Sequence, residues 1–327
     1  MPSEPVFVRK GGCMEDRKEA LVLGTEIDKW LRQYKETTIK PGSYDRFRAS
    51  YRQLCADSLS NAYLNVLSAD DIQQYITRLV KKGYALSTIK LQYTLIRAYL
   101  RYAFLKGLIP TPFYEGVRLP NQNTIRKPAR DVRAYTVLEQ AVLVKELKRL
   151  DSPADMACLL MLEEGLRSGE VMALKWDDID FDKGTIHIHK TVVRLSCTNE
   201  VYVQDEAKSR TSNRTIPLST VASEALAEYA VKFGKKCDYV FADGHSKSSP
   251  IKYWALRECL RRRCRAAGIP FTGTHILRHT FATNCYRRGC DVKVLSKMLG
   301  HANVNITYNI YIHLYGDGLE EMRAFIK

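Results

Sequence analysis

The sequence holds no apolar run long enough to cross a bilayer and no amino-terminal signal pattern, so a helical membrane protein is excluded and a cytoplasmic location is expected. Its nine cysteines include no C-x-x-C pair. An odd count without a signal points to reduced, structural thiols rather than a disulfide framework. The glutamate of H-E-x-x-H is missing, no third ligand accompanies the one His pair at helical spacing, and no bound metal or other cofactor is expected. Repeats and low-complexity tracts are absent as well. Acidic residues are in deficit, 36 against 51 Lys and Arg, which leaves a formal charge of +15. With 45% hydrophobic residues the chain is a folded basic protein, and a polyanion, nucleic acid before membrane, is its natural partner. At 327 residues it has room for two domains with proper cores.

Residues 1–19 mix Pro, Gly and charge without a period and read as a flexible arm. Residues 20–112 read as a bundle of about four helices. The first carries Ile27, Trp30, Leu31 and Tyr34 at threes and fours, and the second carries Tyr44, Phe47, Tyr51 and Leu54 after a break at Pro41-Gly42. Ser68 with Asp71 starts the third, and Ser87 is expected to cap the fourth, which runs to Leu105 before Gly107. That fourth helix bears Lys90, Tyr93, Arg97 and Arg101, a basic and aromatic mixture suited to a phosphate backbone. Residues 113–133, rich in Pro and scattered cations, read as a basic linker.

A second domain is expected over 134–327. Thr136 with Glu139 and Ser152-Pro153 start its first helices, and Gly165 ends the second. Arg167 then sits at a tight turn with Ser168 as the expected cap. In T-I-H-I-H, Ile186 and Ile188 alternate with His187 and His189, a half-buried strand with both imidazoles toward solvent. Lys208 falls on a turn before a strand over 214–218. Helices follow at about 220–232 and 252–267, the latter with Arg257, Arg261, Arg262, Arg263 and Arg265, some of which are expected to face DNA. Arg261 and Arg262 are the chosen candidates.

The stretch T-H-I-L-R-H-T-F-A-T-N, Thr274 to Asn284, puts His275, Arg278 and His279 on one helical face, with Ile276, Leu277, Phe281 and Ala282 toward the core. An arginine between two imidazoles suits an anion. Arg167, Lys208, His275, Arg278, His301 and Tyr311 together supply two guanidiniums, one ammonium, two imidazoles and a phenol, with no acid pair. Two arginines can fork onto one phosphate and stabilise a pentacoordinate transition state without a metal. A phenol with pKa near 10 is ionised in only roughly one molecule per thousand at neutral pH, so cations are needed beside it.

These motifs resemble those of the tyrosine recombinases, in the integrase group of phages and mobile elements. G-L-R-S-G-E resembles the first-arginine box, K-S-R-T-S-N-R-T-I-P-L the hairpin lysine box, H-I-L-R-H the second-arginine box, and Leu299-Gly300-His301 the further histidine. I-T-Y-N-I-Y-I-H resembles the last box and makes Tyr311 the expected nucleophile, with Tyr308, three residues earlier on the same face, as competitor. One departure is Glu164, where many relatives carry threonine; a carboxylate there is expected to act on Arg167. The resemblance implies a mainly α fold with a small antiparallel sheet, built from a helical core-binding domain and a mixed α+β catalytic domain. It also implies strand cleavage and religation through a 3′-phosphotyrosine without ATP or metal, and a homotetramer on two double-stranded DNA sites, with a directionality factor as a further partner. The apolar stripe of Leu319, Met322, Phe325 and Ile326 in the tail is expected to dock in cis or on a neighbouring protomer. Three rivals stand beside integration or excision of a mobile element: chromosome-dimer resolution, a type IB topoisomerase, and a DNA-binding regulator without catalysis.

Overall fold

The computed structural model describes residues 21–121, 134–197, 200–204, 213–234, 237–242 and 249–311, with residues 309–311 described by backbone alone. Two compact units divide the chain: Met1–Lys127 with Leu195–Thr198, and Pro128–Arg194 with Asn199–Lys327.

In the first unit, helices α1 (Leu23–Trp30), α2 (Pro41–Cys55), α3 (Ala69–Lys81) and α4 (Leu86–Leu105) surround one core. Leu23, Ile27 and Trp30 recur at threes and fours and are buried, so burial of one stripe explains α1. The Pro41-Gly42 pair is the opening turn of α2: proline has no N–H to lose at a helix start. Ser68 and Asp71 exchange the expected capping-box bonds at α3. Ser87, in contrast, lies inside α4, whose cap position is Ala85. Trp30 meets Tyr99 edge-on at 5.9 Å, and Tyr114 and Val117 still belong to this core. Tyr93 packs against it and donates its hydroxyl to the Tyr114 carbonyl at 2.6 Å, a structural bond where the sequence suggests a DNA contact. Lys90, Arg97 and Arg101 are exposed along the same helix.

The second unit is built around a helix buried on every side. After α5 (Val137–Leu147), capped by Thr136 and Glu139, α6 (Pro153–Glu163) has nine consecutive buried residues from Ala154 to Leu162. The short α7 (Ser168–Ala173) leads to β1 (Ile179–Asp180), β2 (Thr185–Ile188), β3 (Thr191–Arg194), β4 (Val201–Gln204) and β5 (Arg214–Pro217). Antiparallel pairing joins β1, β2 and β5 in that order, and β3 with β4. Ile186 and Ile188 enter the core while His187 faces out; His189 is half-buried. The helices α8 (Thr220–Phe233), α9 (Tyr253–Ala266) and α10 (His275–Arg287) pack around α6 and its neighbours, followed by α11 (Val292–Leu299) and α12 (Val304–Tyr311). No described helix is long and apolar enough to cross a membrane.

The arginine run on α9 divides by face. Arg263 is buried and forks onto Asp155, with Nε at 2.8 Å and Nη2 at 3.0 Å, and reaches Asp151 at 2.7 Å. Burial alone would raise the Asp155 carboxyl, but Arg263, with bonds from Cys259 and Ser152, lowers it and holds the acid ionised. Arg261 and Arg262 stay exposed, Arg261 against Glu258 at 2.6 Å. Because Asp155 is fully buried, Asp155→Ala would leave the guanidinium short of its main counter-charge at a cost of about 3–5 kcal/mol. Urea unfolding checks this, and an unshifted midpoint would show the pair to be energetically idle.

Candidate active site

The site begins where α6 stops. Gly165 has φ +68, and a Cβ there would come within 2.3 Å of the Phe281 ring, so both conformation and packing demand glycine. Arg167 follows as the cap residue of α7 in place of the expected Ser168, which is the helix's first residue. The cap is supplied backwards by Glu170, whose Oε2 accepts the Arg167 backbone N–H at 2.9 Å.

Glu170 is buried and serves more than the helix end. Its Oε1 accepts from Arg167 Nη1 at 2.6 Å and Arg214 Nη1 at 3.1 Å, and its Oε2 from Arg214 Nη2 at 3.0 Å. Arg278 Nη1 stands 3.9 Å from the same carboxylate. Burial acts to raise this acid, yet the bonds and charge of Arg214, with Arg167 and Arg278, bring it down to about 2.

The three guanidiniums also share a second anchor. Arg214 Nε donates to the Met298 carbonyl at 2.6 Å, Arg278 Nη2 to Leu299 at 2.6 Å, and Arg167 Nη2 to Gly300 at 2.9 Å. These carbonyls lie at the carboxyl end of α11, where backbone acceptors lack helical partners and carry the negative end of the dipole. Gly300 adopts the left-handed conformation that turns the chain there. Arg278 Nη1 adds a bond to the Gly165 carbonyl at 2.8 Å, tying the end of α6 to the same cluster.

The turn delivers His301. Its Nδ1 lies 2.8 Å from the hydroxyl of Thr307, a fully buried residue of α12. Desolvation, then Arg278, Arg167 and Arg214, lower its pKa to about 4, against Glu170, so the ring is neutral at neutral pH. His275 opens α10 at the exposed surface and is also lowered, by partial desolvation with Arg278 and Arg167 behind it. His279 is half-buried, its ring 6.3 Å from that of His275, and is lowered by desolvation, His275 and Arg278.

Thus Arg167, Arg278 and His301 converge, with His275 within reach of their field. Lys208 lies outside the described residues, as do the tail stripe and the side chain of Tyr311, whose backbone ends α12. Tyr308 is exposed on that helix. Sequence reading missed Arg214 and the role of Glu170, although both lie inside quoted motifs. It also gave Glu164 the wrong neighbour. That carboxylate is buried and accepts the Ser219 backbone N–H at 2.9 Å at the start of α8, and burial pushes it up to about 7, against the Ser219 bonds and with Glu163 adding to it.

Three guanidiniums against one carboxylate leave a local charge of +2, by 3 − 1, on groups already held in place. Such a site suits an oxyanion that gains charge during reaction. The phage integrase family matches residues 137–317, more than half of the chain. The chain belongs to the phage integrase family. As a whole the recombinase is 25% identical over 317 residues to a "tyrosine recombinase XerC-like" protein of Caldanaerobacter subterraneus, covering 90% of this chain and 80% of that one. Over 160 residues it is 38% identical to Transposase A from transposon Tn554 of Staphylococcus aureus, covering 48% of this chain and 42% of the transposase. In fold it is similar to the Tn1549 transposon integrase solved with transposon right end DNA, with TM-score 0.78, 19% identity, and 94% and 100% of the two chains covered. A lambda integrase tetramer bound to a Holliday junction gives TM-score 0.65 at 18% identity, with 90% and 78% covered. The recombinase is a site-specific DNA recombinase with the expected fold, mainly α with small antiparallel sheets.

Two acids give opposite pH signatures. The Glu170 pKa is depressed from an ordinary 4.5 to about 2, so its contribution is present above pH 4.5 and lost as pH falls toward 2. Glu170→Gln should cost on the order of 3 kcal/mol at pH 7 in urea unfolding and flatten that acid limb. The Glu164 pKa is raised from 4.5 to about 7, so stability is fullest below 4.5 and declines as pH rises through 7. Glu164→Gln should match wild type near pH 4 and exceed it by roughly 1–3 kcal/mol at pH 8; equal stability at pH 8 would refute the buried-acid account.

Proposed function

We propose that Tyr311 is the nucleophile and that Arg167, Arg278 and Arg214 hold the scissile phosphate of duplex DNA. The phenol oxygen attacks phosphorus, the bond from phosphorus to the 5′-oxygen breaks, and a 3′-phosphotyrosine and a free 5′-hydroxyl result. Lys208 donates the proton to the departing 5′-oxygen. The phenolic proton passes to His275, whose ring is held neutral. His301, near pKa 4, is too weak a base for that task and instead binds the phosphate through Nε2, with Nδ1 fixed by Thr307. A 5′-hydroxyl of the partner strand reverses the step, so bond energy is kept in the ester.

The single observation that carries this reading is the cluster of three guanidiniums with a net charge of +2, fixed on one carboxylate and one helix end. It is preorganised for a phosphodiester that becomes doubly charged in the transition state. The helical unit serves as the core-binding domain, with Lys90, Arg97 and Arg101 as its DNA contacts, and Arg261 and Arg262 on α9 add contacts from the catalytic unit; all five are exposed cations. The working unit is a homotetramer on two DNA sites in the cytoplasm, with a directionality factor deciding between integration and excision. The lambda integrase tetramer on a Holliday junction supports the assembly, and the likeness to Tn554 Transposase A supports a mobile-element role. Chromosome-dimer resolution is the second reading, favoured by the near full-length match to the XerC-like relative.

Nicked duplexes carrying the DNA that flanks its gene, incubated with protein and a chelator, test the proposal. Wild type and Tyr308→Phe should form a covalent adduct, and Tyr311→Phe none. Arg214→Ala should lower adduct yield by about a hundredfold or more, as loss of one preorganised oxyanion donor does elsewhere. Tight site binding with no adduct from any variant would turn the reading toward a DNA-binding regulator.

A further inference from the structure

A second cluster lies behind the arginine site. Asp178, His187 and His189 each offer one ligand atom, and these atoms all lie within 4.8 Å of one another. The group is held from several directions. Asp178 Oδ2 accepts the Lys175 backbone N–H at 2.8 Å, which leaves Oδ1 on His189 Nε2 at 2.9 Å. The two imidazoles project from positions two apart around β2 and stack with centroids 4.6 Å apart and planes 7° from parallel. Asn213 Oδ1 fixes the His187 ring at 2.9 Å. All three residues line one small recess of about 10 Å³, which Glu170 and Lys190 line as well.

We infer that Asp178, His187 and His189 form a binding site for a divalent transition metal of the Zn²⁺ class. Two imidazoles and one carboxylate are a borderline donor set that suits zinc, with water in the fourth position. Tetrahedral zinc at about 2.1 Å from each ligand places ligands about 3.4 Å apart. Binding therefore requires the ligand atoms to close from their 4.8 Å limit and one imidazole to rotate out of the stack, because each nitrogen lone pair lies in its ring plane. The metal replaces the proton now shared between His189 and Asp178, and Asn213 orients His187 as outer partners of ligating histidines do. The Lys190 ammonium and the net positive charge of the arginine cluster around Glu170 oppose the ion, and the Asp178 carboxylate is the ligand charge that offsets them.

The role that follows is structural. Asp178 ends the turn before β1, and β2 pairs with β5 in the register Ile188 to Arg214. A metal joining Asp178 to β2 stiffens the strand pair that presents Arg214 to Glu170, without touching the reacting phosphate. The inference stands on its own residues and does not depend on Tyr311 or on catalysis.

Full-length protein, stripped with chelator and then titrated with Zn²⁺ against a chromogenic competitor, should bind one ion per chain at this cluster. His187→Gln/His189→Gln and Asp178→Asn should each weaken that binding by about tenfold or more, since even an outer partner of a ligating histidine costs that much. Zinc should raise the thermal midpoint of wild type and leave that of the double variant unchanged. Co²⁺ in its place should give visible d–d bands without thiolate charge transfer, a readout that stands even if a variant folds poorly. Thiolate bands, binding unchanged in Asp178→Asn and the double variant, or loss in His275→Gln/His279→Gln instead would overturn the assignment.

Discussion

A carboxylate buried beneath three guanidiniums sets the geometry on which the catalytic unit depends. Glu170 is costly to desolvate, and only Arg214, Arg167 and Arg278 together make its ionised form the stable one. In exchange it gives a fixed reference point to residues from three separate parts of the chain. Arginine side chains are long and lose much rotamer freedom when ordered. Here that loss is met by folding, before any phosphate arrives, so an arriving anion finds its donors already aimed.

The second anchor is equally physical. A helix end offers carbonyls that nothing within the helix can satisfy, and three cations are the natural complement. The arginines thus do two things at once: they close α11 and they gather around its last turn. His301 is placed by the same turn and steadied by Thr307, so α11 and α12 are registered against the site through one short segment.

Much of this was legible in the residues. Capping boxes at Ser68 and Thr136 marked helix starts because side chain and backbone exchange bonds within four residues. Alternation at Ile186 and Ile188 marked the strand, and the stripe of Ile276, Leu277, Phe281 and Ala282 marked the buried face of α10. Local rules failed where a distant partner decides. Ser87 and Ser168 are good caps by type, yet α4 starts after Ala85, and at α7 the local bond from Arg167 N–H to Glu170 sets the cap one residue before Ser168. Arg263 looked like its exposed neighbours until Asp155, more than a hundred residues earlier, claimed it. Arg214 was read only as a strand residue and Glu170 only as part of G-L-R-S-G-E, because nothing in their own neighbourhood shows that they meet. Tyr93, read as a nucleic-acid contact, also donates its hydroxyl to a backbone carbonyl, a bond that leaves no trace in composition.

Recognition of the last turn of α11 is made through main-chain oxygens, and this shapes how the site tolerates mutation. Replacing Met298 by another helix-compatible residue leaves its carbonyl where Arg214 needs it. The Met298 side chain is therefore less constrained than its carbonyl, whereas Leu299 is held twice, by its carbonyl and by a side chain buried in the core with Phe281. The burden falls on Gly300, whose left-handed φ of 65° is strained for any residue with a side chain. A side chain at that position would strain the one turn from which all three acceptors are presented.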